Sequence, residues 1–309
     1  VTEKESWGSS SGIARLTDLG VIRVEGLDAA KFVHAQLTQD FALLATNQAR
    51  LAAFCSAKGR MLASFVGLRH GDAILLLCRQ DILATTLQRL ARFVLRAKVQ
   101  LSDATAQFDV YGLVGTAIMQ SDDKAGSVWS KFDFDGASVI NIYPSMGLAR
   151  QLWVAARGQV VAPIATLLLP VWQWLEVRSG VATISNAIIE AFVPQMLNYE
   201  SLGGVNFKKG CYPGQEVVAR SQFRGTLKRR AALVHCNLAL EPGDEVFEPE
   251  RADQAIGTVV QASASPQGGF DAIISATVEA LKANNLRLRT SEGEALSQLP
   301  LPYPLLEDI

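Results

Sequence analysis

The sequence predicts an α+β protein that ends in a small β-barrel or sandwich, and three patterns predict it. Apolar residues recur at helical spacing in only a few segments, many short apolar runs parted by turn residues lie between those segments, and after Arg230 the runs shorten while glycine and proline thicken. At 309 residues the chain is about twice the usual domain length, so two units are expected.

Taken in order, Asp28 is suited to cap a helix that carries Ala29, Phe32, Val33, Ala35, Gln36 and Leu37 and ends near Asp40. Leu51–Cys55, Met61–Leu68 and Ala73–Cys78, separated by Lys58-Gly59-Arg60 and His70-Gly71-Asp72, read as an antiparallel meander. Asp81 then caps a second helix with Leu83, Leu87, Leu90, Val94 and Leu95 on one side. Strands are expected over Phe108–Gly115, Ser127–Phe134, Ala137–Tyr143 and Gln151–Ala156, followed by a helical region over Ala165–Val177. The final barrel or sandwich takes Ala231–Cys236, Ala255–Ala262 and Phe270–Ala276, with a short helix over Val278–Ala283.

Composition excludes several classes of function. Hydrophobic residues at 49% and charged residues at 19% describe a globular chain, and the richest apolar run, Val160 to Leu175, is broken by Pro163, Pro170 and Gln173, so no membrane span is expected. The opening with Glu3, Lys4 and Glu5 lacks the character of a secretory or transit peptide, which makes the cytoplasm the expected location. Cys55, Cys78, Cys211 and Cys236 lie far apart with no CxxC pair, so they read as free thiols and not as a self-contained metal site. His34, His70 and His235 fall in separate elements, and no Walker loop, dinucleotide fingerprint, nucleophile elbow or zincin helix is present.

Net charge is −1, yet Phe207–Arg230 holds Lys208, Lys209, Arg220, Arg224, Lys228, Arg229 and Arg230 against Glu216 alone, leaving that window at +6. Such a patch could bind RNA phosphates or another partner, hold an anionic tail of a small ligand, or be a solvated face. The same stretch concentrates glycine, proline, thiol and amide where no helix or strand pattern requires them. Pro213-Gly214 suits the central positions of a type II turn, placing Cys211 and Gln215 on either side of a bend. Lys208 and Lys209 beside the sulfur would favour its thiolate, which makes Cys211 a candidate reactive thiol; a small buried hydrophobe in an ordered turn is the competing reading. Cys78 and Cys236 end apolar runs and read as core, and core is also favoured for Cys55.

The run Lys209-Gly210-Cys211-Tyr212-Pro213-Gly214-Gln215-Glu216 resembles the signature of the YgfZ family of folate-binding proteins related to tRNA modification. The resemblance extends to Cys55-Ser56-Ala57-Lys58-Gly59-Arg60, to Phe192-Val193-Pro194-Gln195-Met196-Leu197-Asn198, to Gly203-Gly204-Val205-Asn206-Phe207-Lys208, to Val217-Val218-Ala219-Arg220 and to Leu301-Pro302-Tyr303. It implies two interleaved α+β subdomains over residues 1–230, like the glycine cleavage T-protein (aminomethyltransferase), with the barrel over residues 231–309. Tetrahydrofolate or a one-carbon derivative would occupy a central cavity.

The same resemblance assigns roles to residues. Trp172 matches one of two tryptophans associated with folate, although with Trp174 and Leu175 it also reads as helix core, and the other tryptophan position falls near Leu19. Lys208, Gln215, Glu216 and Arg220 are expected to help hold the cofactor, and Cys211 and Lys209 to form the functional thiol and its cation. The function implied is that of an accessory protein, cytoplasmic and monomeric, for iron–sulfur cluster assembly or repair and for tRNA thiomethylation. Iron–sulfur client or assembly proteins would be its partners, tRNA an indirect or weak one, and Cys211 would make a transient iron–sulfur contact. The alternative is a folate-dependent one-carbon transferase of the aminomethyl type. Thr85 stands at the position of that enzyme's catalytic aspartate while Asp81 reads as a helix cap, which favours the accessory role.

Overall fold

The computed structural model describes residues 11–120, 126–159, 166–223, 227–251 and 254–306. Its strands form two five-stranded antiparallel sheets and one closed six-stranded barrel.

The first sheet contains β2 (Leu19–Glu25), β3 (Ala49–Cys55), β4 (Met61–His70), β5 (Ala73–Arg79) and β6 (Gln100–Asp103), in the order β3-β4-β5-β2-β6. The second contains β1 (Gly12–Arg15), β7 (Phe108–Val114), β8 (Lys131–Phe134), β9 (Ala137–Ser145) and β10 (Leu148–Ala156), in the order β1-β7-β10-β9-β8. The unbroken apolar run of β5 follows from its place inside the first sheet, where both faces are covered. Ile74, Leu76 and Cys78 join the core cluster with the helices α1 (Ala29–Gln36) and α2 (Gln80–Ala91), whereas Leu75 and Leu77 join the cluster shared with β7, β9 and β10. α3 (Leu169–Arg178) adds Trp172, Trp174 and Leu175 to that second cluster.

Several sequence expectations are corrected by these contacts. The first helix stops at Gln36 because Leu37 is extended and pairs with Phe54 as an isolated bridge, while the Thr38 N–H donates to Ala53 O at 3.0 Å. Asp81 is not the cap of α2: Arg79 holds the N-cap position without a side-chain cap bond, and Asp81 sits in the first turn, where Oδ2 accepts from the Asn186 N–H at 3.1 Å. Val94 and Leu95 lie beyond the end of α2, and the strand expected from Ser127 begins at Lys131. The helical region expected over Ala165–Val177 is α3, and Ala165 lies outside the described residues, as do Arg224 and the opening residues Glu3, Lys4 and Glu5. The stretch read as free of helix contains α4 (Gln215–Phe223).

The barrel runs β11-β14-β13-β12-β15-β16, comprising β11 (Arg229–Cys236), β12 (Glu245–Phe247), β13 (Gly257–Ala264), β14 (Phe270–Thr277), β15 (Leu286–Leu288) and β16 (Ala295–Leu299). Thr277 caps α5 (Val278–Ala283) by accepting from the Ala280 N–H at 3.3 Å. Polar bonds clamp the barrel to the rest of the chain. Asp271 of β14 accepts from Trp174 Nε1 at 2.7 Å and from Arg178 at 3.3 Å, and Asn198 exchanges bonds with the backbone of Ala231 at 3.0 and 3.2 Å. The segment after β16 returns to the sheets, where the Tyr303 hydroxyl donates to Gly180 O at 2.8 Å and Leu306 O accepts from Arg230 at 3.0 Å.

Candidate functional site

Two places can carry chemistry, one inside the molecule and one on its surface. The inner one is a cavity of about 60 Å³ between the facing sheets and α3. Leu19, Phe65, Val66 and Leu77 come from the first sheet, Ile142, Tyr143, Arg150 and Leu152 from the second, and Glu176 and Ser179 from α3 and its end; Trp129 and Tyr199 also contribute to the wall. Most of this lining is apolar or aromatic, which suits a flat, partly polar ligand.

Its polar feature is a buried ion pair. The Arg150 guanidinium donates to Glu176 Oε1 and, at 3.4 Å, to Tyr143 O, with the arginine side chain 1% exposed and the glutamate 23%. Burial pulls Arg150 below its ordinary pKa and Glu176 opposes that pull. The Arg150 Nε is buried without a partner, an unmet donor beside the cavity.

Trp172 is 2% exposed and does not line the cavity. Its ring lies under the Arg150 guanidinium, 4.4 Å from the centroid, and against the backbone of Gly112, where a Cβ would come within 2.4 Å of the ring. Trp172 thus reaches the cavity through Arg150. Leu19, at the other expected tryptophan position, lies directly on the wall. Thr85, at the expected aspartate position, is exposed on α2 and away from this lining.

At the surface, the signature forms the predicted bend. The Gln215 N–H donates to Tyr212 O at 3.1 Å and Gly214 has φ +78°, the hydrogen bond and the dihedral of a type II turn. A Cβ on Gly214 would stand 2.4 Å from Ser56 O and 2.6 Å from the Gly59 Cα, so glycine is required both by conformation and by close approach. The two segments that resemble the family's signature and its first hairpin therefore pack against each other. α4 starts at Gln215, directly after the turn.

Within this loop Cys211 is the exposed thiol, and Cys55, Cys78 and Cys236 are buried. Burial pushes the thiols of Cys55 and Cys78 up to about 12, which makes both inert, and Cys78 also lines the cavity. Lys209 turns inward: its Nζ donates to the carbonyls of His34 at 2.6 Å and Leu37 at 2.9 Å, at the C-terminal end of α1, and lies 4.6 Å from the Tyr212 ring centroid. Burial lowers Lys209 to about 8, with Asp40 and Cys211 opposing the shift. Lys208 is exposed, and its backbone N–H donates to Asn206. The Gln215 amide reaches back to Lys209 O at 3.5 Å, and Glu216 and Arg220 pair with each other at 2.6 Å in solvent; none of these residues lines the cavity.

The basic window is dispersed in the same way. Lys209 is spent on helix carbonyls, Arg220 on Glu216, and Arg230 on Glu200 at 2.6 Å and on Leu306 O. The sequence reading missed Arg150, Glu176, Tyr143 and Trp129. One signal was available: Glu176 follows Trp172 by four residues, which puts both on one face of a helix. Among the described residues no group of three or more His, Cys, Asp and Glu could hold a metal ion, and no helix is long and apolar enough to cross a membrane.

This arrangement of two sheets, a central cavity and a terminal barrel is the fold of the glycine cleavage T-protein. The glycine cleavage system aminomethyltransferase T of Bartonella henselae superposes with a TM-score of 0.70 at 16% identity, covering 99% of this chain and 89% of that one. No profile of a known protein family matches the chain. Individual relatives do. The tRNA-modifying protein YgfZ of Photorhabdus laumondii subsp. laumondii is 31% identical over 309 residues, covering 95% of this chain and 92% of that protein. That of Edwardsiella ictaluri is 29% identical over 311 residues, covering 94% and 92%. The chain belongs to the YgfZ family, as its signature residues imply.

Proposed function

We propose that the chain binds a reduced folate in the central cavity and serves as an accessory protein in iron–sulfur cluster assembly or repair and in tRNA modification, with Cys211 as its functional thiol. The single observation that carries the folate reading is the Arg150–Glu176 pair set among apolar and aromatic walls. A pterin is flat and presents adjacent N–H donors that a carboxylate accepts in parallel, while its carbonyl edge suits the unmet Arg150 Nε. Tyr143 and Trp129 supply faces for stacking, and Trp172 holds the guanidinium from behind. Bound there, the cofactor would supply one-carbon chemistry. The relatives' name, tRNA-modifying protein, supports the role in tRNA modification. Any iron–sulfur cluster would be cargo, met by Cys211 together with ligands from a client.

A one-carbon transferase would need a carboxylate free to take a proton beside the cofactor. Glu176, the acid in the cavity lining, is held by Arg150, and Thr85 on α2 is exposed. The accessory role is therefore the better reading. Titration with tetrahydrofolate should quench tryptophan fluorescence, and the quench should shrink in Trp129→Phe. Affinity should fall at least about tenfold in Glu176→Gln, the equivalent of one charge-assisted hydrogen bond. Equal affinity in Glu176→Gln, with the fold intact by circular dichroism, overturns the assignment of the cavity.

A further inference from the structure

We propose that the ligand of the central cavity ends in a chain of carboxylates, and that this anionic tail passes Leu19 into a basic chamber built by Arg15, Asp109 and Arg157. The proposal rests on the reading of the cavity as a reduced-folate site and adds the place and chemical form of the rest of that ligand. A folate is a pterin joined through a benzoyl ring to one glutamate or to a chain of them, so one end is flat and the other is anionic. The cations on the wall of the central cavity are already paired, Arg150 with Glu176 and Arg79 with Asp18. The anionic end therefore needs a cation elsewhere.

Two chambers adjoin the cavity and share wall residues with it. One, of about 300 Å³, shares the partly exposed Leu19 and is lined further by Val21, Phe108, Arg15, Asp109 and Arg157. The other, of about 280 Å³, lies against the barrel and shares Arg79 and Thr183. Charge decides between them. In the first, Asp109 of β7 has a side chain only 6% exposed, and its carboxylate takes Arg15 at 2.6 Å, Arg157 Nε at 3.6 Å and the Gly158 N–H at 2.9 Å. Burial alone would raise this carboxyl, but the Gly158 N–H and the two guanidinium groups hold it below the usual carboxylate range, so it is an anion at neutral pH. One buried carboxylate thus aligns two guanidinium groups that are 48% and 56% exposed, which leaves an excess of one positive charge with the cations outward. A guanidinium has five N–H donors, more than its bond to Asp109 uses, so each can take a second carboxylate. Val21 and Phe108 give the benzoyl ring an apolar path beyond Leu19. In the other chamber Arg79 stands between Asp18 at 2.7 Å and Asp81 at 3.9 Å, and the excess is negative.

Isothermal titration calorimetry on the full chain, without oxygen, compares three ligands: tetrahydropterin, tetrahydrofolate and tetrahydrofolate triglutamate. In the wild type affinity should rise in that order, and the gain from the tail should shrink with added salt because the guanidinium groups are partly exposed. Arg157→Gln should weaken the triglutamate about three- to tenfold, and Arg157→Gln with Arg15→Gln at least about tenfold, the range of charge-assisted contacts at a partly exposed site. Tetrahydropterin should bind all of these proteins alike. Gln261→Glu keeps the acceptor for Thr183 and adds a negative charge to the chamber at the barrel, so it should leave the triglutamate's affinity unchanged. Unchanged triglutamate affinity in the double variant overturns the proposal. So does a loss of equal size for tetrahydropterin, which would mark damage to the central cavity, and so does a loss in Gln261→Glu, which would send the tail to the barrel side. Should the double variant fail to fold, Arg157→Gln alone decides by the same criteria. A wild type that binds none of the three ligands removes the folate reading and the tail site with it, whereas binding of tetrahydropterin with no gain from the tail removes the tail site alone.

Discussion

The cavity and the signature loop are built in opposite ways. The cavity gathers its wall from strands, a helix and connections spread from Leu19 to Tyr199, and sets in it an ion pair whose arginine is buried. The loop is eight consecutive residues that expose a thiol on a turn fixed by proline and glycine. The contrast teaches where each kind of change should register. In the cavity, binding and stability share the same residues, since a buried charge needs its partner. In the loop, geometry is set by the backbone and chemistry by one side chain, so the two can be separated.

The largest effect should therefore come from the cavity. Glu176→Gln leaves the Arg150 guanidinium, 1% exposed, without its counter-charge and should cost roughly 3 kcal/mol in urea denaturation. Replacing both partners, as Arg150→Met with Glu176→Leu, should recover most of that stability while tetrahydrofolate binding stays lost. A double variant as unstable as the single one would show that the pair is held for the fold and not for a ligand.

A smaller effect tests the loop. Gly214→Ala must place a side chain at φ +78° and at 2.4 Å from Ser56 O, which should cost about 1–3 kcal/mol and displace the signature from the hairpin at residues 56–59. Thermal melting should report the loss, and the Cys211 alkylation rate should change with it. Cys211→Ser, in contrast, should melt within a degree or two of the wild type, because an exposed thiol on this turn supports little packing. A large destabilisation in Cys211→Ser would erase the separation between geometry and chemistry.

Legibility in the sequence follows the same divide. The meander of β3, β4 and β5 and the helix α5 were readable because turn residues punctuate them and their periodicity is local. The type II turn was readable because Pro213 and Gly214 fix their own dihedrals. α4 was not, since Val217, Val218 and Phe223 make no helical stripe and the segment's start is set by the preceding turn. Six barrel strands appear where three were read, because β12 and β15 are three residues each, too short to show alternation. In the cavity, Trp172 was visible as an aromatic but its place behind Arg150 was not, because that contact depends on how β7, β10 and α3 pack. The direction of Lys209 was equally hidden: the carbonyl that turns it from the sulfur belongs to His34, 175 positions earlier.

The smallest effect concerns that lysine and its pH dependence. In an unfolded chain a lysine titrates near 10.4, whereas burial brings Lys209 to about 8 in the fold. With the folded value below the unfolded one, the unfolded chain binds more protons between these limits, so stability rises with pH across that window. The contribution is fully present above the unfolded value and is lost as pH falls through about 8. The neutral amine still has two N–H donors, matching the two carbonyls of His34 and Leu37, so deprotonation relieves the buried charge without giving up either bond. Lys209→Met lacks both the charge and the donors. Urea denaturation of the two proteins side by side should show a constant difference between pH 6 and 7.5 and a growing advantage for the wild type from pH 8 to 10, the other titrating groups cancelling in the comparison. A difference that stays flat to pH 10 would place the ammonium in water and detach the signature loop from the end of α1.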